Sequence, residues 1–247
     1  MHHEDMHHKQ KLAVVMCTFK RLHLLTASLQ MLENQIDKHF DLFIWNNNQE
    51  VKDLNPFIKT ENQNIYSFQI RYHNSPQNIG GIGRFYQARD IADEYDYVIF
   101  IDDDQTFDKY LIMKFREEAA PKMISGWWAH KILGQYNRRL RSNFGQEADY
   151  VGTGGMICPM EIFKDPRLFD DIPEEYIFIE DLWLSFFSKF EYDYRLQRSG
   201  VTLKFVPNEG VRDQHHKLKR DKIEFHKYLQ NKYNKSKIIE GKTKNNR

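Results

Sequence analysis

Three consecutive carboxylates follow one of the apolar runs of the sequence. Asp102, Asp103 and Asp104 come directly after Tyr97–Ile101, a short run of aromatic and β-branched residues that is typical of a buried strand. Adjacent carboxylates repel one another, and burying them without a compensating charge is very costly. A hard divalent cation supplies such a charge, and Mg²⁺ usually completes its shell with water and phosphate oxygens. The triplet therefore predicts a metal-assisted phosphate site, with a solvated acidic turn as the simpler alternative.

The segments around this triplet alternate between strand and helix patterns. The predicted elements are a strand at Leu12–Cys17, a helix at Leu22–Gln35, strands at Phe40–Trp45 and Tyr66–Tyr72, a helix at Arg84–Tyr95 and a strand at Tyr97–Ile101. Such alternation favours a mainly parallel sheet that is covered by helices on both faces. Ligands of these sheets bind beyond the carboxyl ends of the strands. Three polar clusters fall there: Thr18–Arg21, Asn46–Asn48 and Asp102–Asp104.

The second half of the chain mixes strand-like pieces with loops. We predict strands within Lys122–Ala129, Asp149–Cys158 and Val201–Val206, and a helix at Asp181–Phe190. The expected organisation is a disordered leader at 1–10, a catalytic-type domain at 11–216 with halves at 11–104 and 105–216, and a basic tail at 217–247. From Arg212 onwards 12 Lys and Arg face 4 Asp and Glu. This composition predicts a solvated helix, with contact to an anionic membrane surface as the alternative.

The composition is that of an ordinary globular protein. Hydrophobic residues make up 40% and aromatic residues 14%, and the formal net charge is +1. A charge this close to neutral argues against a chain that binds nucleic acid as its main partner. Cys17 and Cys158 each lie in or beside an apolar run, which suggests buried thiols in a reducing, cytosolic compartment.

Five motifs, taken together, resemble glycosyltransferase family 2, which has the GT-A fold, a Rossmann-like α/β fold with a mainly parallel mixed sheet. Asp102–Asp104 is similar to the family's DxD motif. The others are Cys17–Arg21, Asn74 with Asn78–Arg84, Tyr150–Met156 and Ile179–Trp183, while Asn46–Asn48 stands where the family usually carries acidic residues. The resemblance covers residues 11 to 216. It implies transfer of a sugar from a nucleotide-diphosphate donor, most commonly a uridine diphosphate sugar, to a glycan, lipid-linked or protein acceptor.

The resemblance also implies roles for residues on the donor side. Thr18, Arg21, Asn46 and Asn48 would line the nucleotide pocket, and Gly80 and Gly81 would let the backbone approach the donor. Arg84 would face the diphosphate or the base, with a surface charge as the alternative. Asp102 and Asp104 would position the donor ribose and a Mn²⁺ or Mg²⁺ ion, and Asp103 would share either duty. His215, or else His216, would complete the metal site.

On the acceptor side the resemblance implies that Asp181 is the general base, because an acceptor hydroxyl is a poor nucleophile until a carboxylate takes its proton. Glu180 would orient the acceptor. Attack from the face opposite the leaving group predicts inversion at the anomeric carbon. Gly154 and Gly155 belong to the Gly-rich acceptor loop, and Trp128 is the candidate stacking platform. Because adjacent side chains of a strand point in opposite directions, at most one of Trp127 and Trp128 is expected to face the site.

Three other interpretations compete. Asp102, Asp104 and Thr106 also fit the Asp-x-Asp-x-Thr motif of haloacid-dehalogenase-type phosphohydrolases, although that motif normally follows the first strand. A dinucleotide-binding dehydrogenase is weaker, because Gly81 and Gly83 lack a third glycine at the proper place. The last interpretation is a GT-A module that binds sugars but has lost catalysis.

Overall fold

The computed structural model describes residues 10–58, 66–207 and 218–244, with side chains described as far as residue 234. Its strands are β1 Leu12–Thr18, β2 Phe40–Asn46, β3 Ile70–Asn74, β4 Tyr97–Asp102, β5 Gln105–Phe107, β6 Met123–Gly126, β7 Ala129–Ile132, β8 Arg139–Arg141, β9 Tyr150–Val151, β10 Met156–Pro159, β11 Arg195–Arg198 and β12 Leu203–Phe205. Its α-helices are α1 Leu22–Glu33, α2 Asn55–Ile58, α3 Gly83–Asp90, α4 Leu111–Glu118, α5 Arg167–Asp170, α6 Glu180–Glu191 and α7 Lys219–Lys244. Short 3₁₀ helices cover Gly80–Ile82, Met160–Lys164 and Glu174–Ile179.

The central sheet is mixed and mainly parallel, which confirms the fold class predicted from the sequence. Its seven strands lie in the order β11-β6-β10-β4-β1-β2-β3. The four strands β1 to β4 are parallel, and β11 is parallel to β6. Only β10 runs against its neighbours β4 and β6. Two small antiparallel sheets, β12-β5 and β8-β7-β9, are added by the second half of the chain.

Both faces of this sheet are buried, which explains the continuous apolar runs of the inner strands. In β1, Ala13 and Val15 belong to the core on one face, and Leu12, Val14 and Met16 to the core on the other. Burying one large aliphatic side chain of this kind stabilises the fold by about 1.5–3 kcal/mol. The α1 leucines pack on the second face at the helical spacing that the sequence showed.

The pairing of β1 with β4 positions the acidic triplet. Cys17 lies opposite Asp102 in the register of these two parallel strands. The loop after β1 and the turn after β4 therefore leave the sheet at the same edge, and this brings Arg21 to the triplet.

Several elements differ from the prediction. Helix α3 ends at Asp90 rather than Tyr95, because the next amides bond to carbonyls three residues back in tighter turns. The segment that was predicted as one strand within Lys122–Ala129 is two strands separated by a bend at Trp127 and Trp128. The elements β5, α4, β8 and β11 were not predicted. Helix α4 is short, and its apolar stripe consists only of Leu111, Ile112 and Phe115.

The prediction of a solvated C-terminal helix is wrong for one face of α7. Phe225, Leu229 and Tyr233 recur every four residues, and all three are buried against the domain. Phe225 stacks on Tyr176 with ring centroids 4.3 Å apart. The lysines of the helix occupy other positions. Because they are numerous, the composition of the segment suggests a solvated helix and does not reveal this apolar stripe. Contact of the basic tail with a membrane stays a prediction, and in the described part of the chain no helix combines the length and apolarity needed to cross a bilayer.

Replacing Phe225 with alanine tests whether α7 belongs to the folded domain. Because this ring is fully buried, Phe225→Ala is expected to lower the free energy of unfolding by about 3–5 kcal/mol. Urea denaturation measures the change. The exposed neighbour Lys227 is the matched control, and Lys227→Ala should change stability by less than about 0.5 kcal/mol. Equal effects of the two substitutions would mean that the helix is not docked.

Candidate active site

One cleft brings the two halves of the predicted site together. It encloses about 530 Å³ and is lined by Asp102 and Asp104 from the end of β4 and by Asp181 from the first turn of α6. Trp127, Trp128 and Tyr150 form much of its apolar wall. A volume of this order is that of an ordinary small-ligand pocket.

Two arginines neutralise much of the acidic triplet. The Arg21 guanidinium donates to Asp103 at 2.5 Å and to Asp104 at 2.6 Å. Arg84 donates from Nη2 to Asp102 at 2.9 Å. Asp102 and Asp104 are partly exposed to the cleft, whereas the Asp103 side chain is only 4% exposed and does not line the cleft. The Asp103 carboxylate thus holds Arg21 in place, and the first and third carboxylates face the ligand space.

Asp102 and Asp104 suit a divalent cation. Burial, and then repulsion from Asp102, raise the pKa of Asp104 to about 6, even though Arg21 opposes the shift. Arg21 alone thus does not offset the burial of Asp104 and the charge of Asp102. Carboxylate oxygens are the ligands that Mg²⁺ and Mn²⁺ favour. Each of the two carboxylates has one oxygen bonded to an arginine and one that accepts no such bond.

The third predicted metal ligand is a histidine. His215 and its neighbour His216 fall outside the described residues. Among the residues that are described, no group of three or more His, Cys, Asp or Glu side chains could hold a metal ion. Within the described residues, a cation at this position would be held by Asp102 and Asp104, and phosphate oxygens and water would complete the shell that Mg²⁺ prefers.

The Asp181 carboxylate is held in a fixed orientation at the other side of the cleft. Its Oδ1 accepts a hydrogen bond from the Leu182 amide at 2.8 Å, and its Oδ2 accepts a short one from the Tyr150 hydroxyl. Tyr150 is fully buried in β9, where burial and then the charge of Asp181 raise the pKa of its phenol well above the usual value. The phenol therefore remains a hydrogen-bond donor that orients Asp181.

A lysine of α7 also reaches this side of the cleft. Lys222 lines the cleft with Asp181 and is only 9% exposed. Burial lowers the pKa of Lys222, but the attraction of Asp181 and then Tyr136 outweighs burial, so the pKa is raised. The ammonium group stays charged beside the carboxylate. Lys222 could not be singled out from the sequence, because it lies among the many lysines of the tail.

Glu180 and Arg84 form a buried link behind the cleft. The Arg84 side chain is 7% exposed, and its Nε lies 4.0 Å from Oε1 of Glu180. The Thr153 hydroxyl donates to the same Glu180 oxygen at 3.4 Å. Neither Glu180 nor Arg84 lines the cleft. We therefore expect both to position their neighbours rather than touch the acceptor or the donor directly, which revises the roles that the resemblance implied.

Glu180 should make the stability of the domain depend on pH. Burial, opposed by Arg84 and reinforced by Asp181, raises its pKa from 4.5 to about 7. A carboxylate whose pKa is raised on folding contributes stability that is present below pH 4.5 and is lost as the pH rises through 7. Glu180→Gln should remove this dependence, so that between pH 5 and 8 the variant gains on the order of 2 kcal/mol relative to the wild type.

Urea denaturation across this pH range measures that difference. Glu174, an exposed carboxylate at the start of the preceding 3₁₀ helix, provides the control. Glu174→Gln should leave the stability difference from the wild type constant with pH. A constant difference for Glu180→Gln as well would show that Glu180 is ionised to the same extent in the folded and unfolded chain.

Both tryptophans of the pair line the cleft, so the prediction that at most one faces the site is wrong. Strand β6 ends at Gly126 and the chain bends through Trp127 and Trp128, so the alternation of a strand does not apply to them. Their rings lie 5.6 Å apart at 45°. The pair presents two aromatic surfaces to a ligand, and Trp128 is the more exposed of the two.

The loop beside the acidic triplet requires glycine at two positions, Gly154 and Gly155. A Cβ at Gly154 would collide with the Asp102 carboxylate, and it would lie 2.7 Å from the Gln105 amide. Gly155 has φ +85°, a conformation that favours glycine. Its amide bonds to Phe100 of β4 and its carbonyl accepts from Trp127. Gly154 thus lines the cleft, while Gly155 ties the loop to the sheet and to the tryptophan bend.

The remaining donor-side residues do not line this cleft. Asn46 is fully buried, and its amide donates to the Val51 carbonyl and to Asn74. Asn48 accepts from the Glu50 amide. These asparagines fix the loops that follow β2 and β3. The others are Thr18, buried at the end of β1, Gly80, which packs under the Phe178 ring, and Gly81, which packs against the Glu180 carboxylate.

Solved structures that resemble this one are GT-A glycosyltransferases. The Staphylococcus aureus TarS structure superposes with a TM-score of 0.54 at 16% identity, covering 80% of this chain and 37% of TarS. The mannosyltransferase PcManGT from Pyrobaculum calidifontis, in complex with GDP-Man and Mn²⁺, gives 0.58 at 11% identity, covering 82% of this chain and 59% of that one. GalNAc-T7 with UDP, GalNAc and Mn²⁺ gives 0.61 at 9% identity, covering 83% of this chain and 45% of that one. These likenesses define the class of fold.

The sequence itself identifies the family. The family model described as "Glycosyl transferase family 2" matches residues 13–191, which is well over half of the chain. The chain therefore belongs to glycosyltransferase family 2, and the phosphohydrolase and dehydrogenase interpretations are set aside. Comparison with curated proteins finds no significant match.

Proposed function

We propose that this chain transfers a sugar from a nucleotide-diphosphate donor to an acceptor hydroxyl, with inversion at the anomeric carbon and with Asp181 as general base. The observation that carries the proposal is that Asp102, Asp104 and Asp181 line a single cleft. Family membership and the GT-A fold support sugar transfer as the reaction.

The donor diphosphate is assigned to the acidic side of the cleft. A divalent cation held by Asp102 and Asp104 would offset the negative charge that develops on the departing diphosphate. Arg21, which also lines the cleft, and Arg84, which does not, hold the two carboxylates in place. Gly154 keeps this side open because it has no side chain to displace the Asp102 carboxylate.

The acceptor is assigned to the side that carries Asp181 and the tryptophan pair. Asp181 takes the proton of the attacking hydroxyl, and the Tyr150 and Leu182 hydrogen bonds hold the carboxylate in one orientation. A preoriented base of this kind contributes to catalysis through both proton transfer and alignment. Trp127 and Trp128 supply apolar surfaces on which a sugar ring stacks.

The proposed donor is a uridine diphosphate sugar. One solved structure of TarS residues 1–349 contains UDP-GlcNAc, whereas PcManGT contains GDP-Man. A thermal-shift screen of uridine, guanosine and thymidine diphosphate sugars, with Mn²⁺ and then with chelator, distinguishes these donors. At a concentration of about 100 times Kd, a true donor should stabilise the chain by about 2.7 kcal/mol, and only when the metal is present. Stabilisation by no nucleotide sugar would contradict the proposal.

A further inference from the structure

Three arginines lie beside the aromatic residues that line the cleft, and we refer to them as the arginine cluster: Arg139, Arg141 and Arg198. Arg139 and Arg141 belong to β8, and Arg198 ends β11. Strand pairing brings them together. Arg141 lies opposite His130 of β7, and Arg198 lies opposite Gly126, which directly precedes the tryptophan bend.

Two members of the arginine cluster pack on the aromatic wall of the cleft. The Arg141 guanidinium carbon lies 5.2 Å from the Trp127 ring centroid and 5.4 Å from that of Trp128. The Arg139 guanidinium carbon lies 5.6 Å from the ring of Tyr150. All three of these rings line the cleft. The Arg139 and Arg141 guanidinium groups therefore adjoin the rings on which a ligand would stack.

The charge of the arginine cluster is not balanced by the described part of the protein. Within residues 10–58, 66–207 and 218–234, no carboxylate forms an ion pair with any of the three arginines, and Nη1 of Arg139 is buried without a hydrogen-bond partner. Burial and then repulsion from Arg141 lower the pKa of Arg198 to about 10, although Glu118 opposes the shift. The arginines of the acidic side, Arg21 and Arg84, by contrast form ion pairs with carboxylates.

The excess of positive charge also affects neighbouring groups. Burial, followed by the repulsion of the three arginines, lowers the pKa of His130 to about 4, so this imidazole stays neutral. Lys222 adds a further cation on the side of Asp181. Like charges that crowd around a ligand cleft destabilise the empty protein, and an anionic ligand removes that cost.

We propose that the arginine cluster is a binding subsite for an oxyanion on the acceptor, so that the acceptor is a saccharide carrying a phosphate or a carboxylate. The inference rests on the proposed function, which assigns the acceptor to the tryptophan end. Guanidinium groups present paired N–H donors that match both kinds of oxyanion. The donor diphosphate does not explain the cluster, because the arginines that contact the acidic side are Arg21 and Arg84.

Binding of three matched sugars to the full chain tests the proposal. Glucose, glucose 6-phosphate and glucuronic acid share a ring and differ in charge, and calorimetry at low ionic strength measures their affinities. The wild type should bind at least one anionic sugar about tenfold more tightly than glucose, since a charge-assisted hydrogen bond has about this effect. The tighter of the two anionic sugars identifies phosphate or carboxylate as the recognised group. Raising the salt concentration should reduce the preference.

Two variants test whether the preference for anionic sugars depends on the arginine cluster. Arg141 is exposed, so Arg141→Gln should fold normally and should lose most of the preference. Arg138 is an exposed arginine of the same hairpin that contacts none of the cleft rings, and Arg138→Gln should keep the preference. Equal affinity of the wild type for all three sugars overturns the proposal, and so does an equal loss in both variants.

The outcome separates this proposal from the proposed function. A wild type that binds a nucleotide sugar yet shows no preference among the three sugars contradicts the anion subsite alone. A wild type that prefers the anionic sugars, loses the preference in Arg141→Gln and binds no nucleotide sugar supports the subsite and contradicts the proposed function.

Discussion

Replacing Asp181 with asparagine is expected to lower the turnover number by about 10²–10⁴-fold, the range over which positioned general bases contribute. Asparagine keeps the size of the side chain and can still accept from the Tyr150 hydroxyl, but it cannot take a proton. Because Asp181 is assigned to the acceptor hydroxyl, donor affinity should change by less than about twofold. Initial rates of nucleoside diphosphate release, together with calorimetry of donor binding, measure the two quantities separately.

The control for this experiment is Asp90→Asn, which changes an exposed aspartate at the end of α3. It should retain wild-type turnover. If Asp181→Asn kept full activity, another group would have to be the base. If the wild type bound donor but showed no turnover with any acceptor, the chain would be a sugar-binding module that has lost catalysis, and the assignment of Asp181 would fail with it.

Replacing Asp104 with asparagine is expected to weaken metal-dependent donor binding by about 100-fold or more, since even changes in the groups around metal ligands cost 10–100-fold. The variant removes one of the two carboxylates that face the ligand space. Calorimetry with Mn²⁺ and with chelator measures the effect. In chelator, the wild type and the variant should bind the donor equally weakly.

Loss of folding would not explain that result. Burial and repulsion disfavour the ionised form of Asp104, so Asp104→Asn should leave the thermal stability of the ligand-free chain unchanged or higher at pH 8. Asp108→Asn, which changes an exposed aspartate just beyond β5, should leave donor binding intact. Donor binding that is insensitive to both metal and Asp104 would contradict a cation at this position.

The sequence predicted the first half of the fold well because its inner strands are buried on both faces. Runs such as Leu12–Cys17 and Tyr97–Ile101 are apolar throughout, and this pattern is hard to mistake between turn-rich segments. The acidic triplet could be placed at the sheet edge for the same reason. Its partner Arg21 could not be assigned to particular carboxylates, because the register of β1 against β4 decides which charges meet.

The second half was harder to predict because local patterns and tertiary contacts disagree. Trp127 and Trp128 look like strand residues, yet Trp127 bonds to the Gly155 carbonyl, and the bend turns both rings toward the cleft. Helix α7 looks solvated because its lysines outnumber its apolar residues. Only contact with Tyr176 and α6 reveals its buried face.

Buried charge was the least predictable feature of the site. From the sequence, Arg84 could equally be a surface charge on a short helix. Its burial depends on two carboxylates that lie elsewhere along the chain, Asp102 and Glu180. Tyr150 stood in the quoted Gly-rich motif, but its contact with Asp181 requires the pairing of β9 with β7 and the packing of α6. Such contacts are set by the assembled fold rather than by spacing.

The most direct test of the central claim is whether a paramagnetic cation binds the donor diphosphate at the acidic pair. Phosphorus NMR of the donor that the thermal-shift screen selects, in the presence of the chain and a trace of Mn²⁺, reports this contact through line broadening. We predict strong broadening of both phosphorus signals with the wild type and with Asp181→Asn, and broadening no greater than that of the protein-free sample with Asp104→Asn. Equal broadening with the wild type and Asp104→Asn would contradict the account.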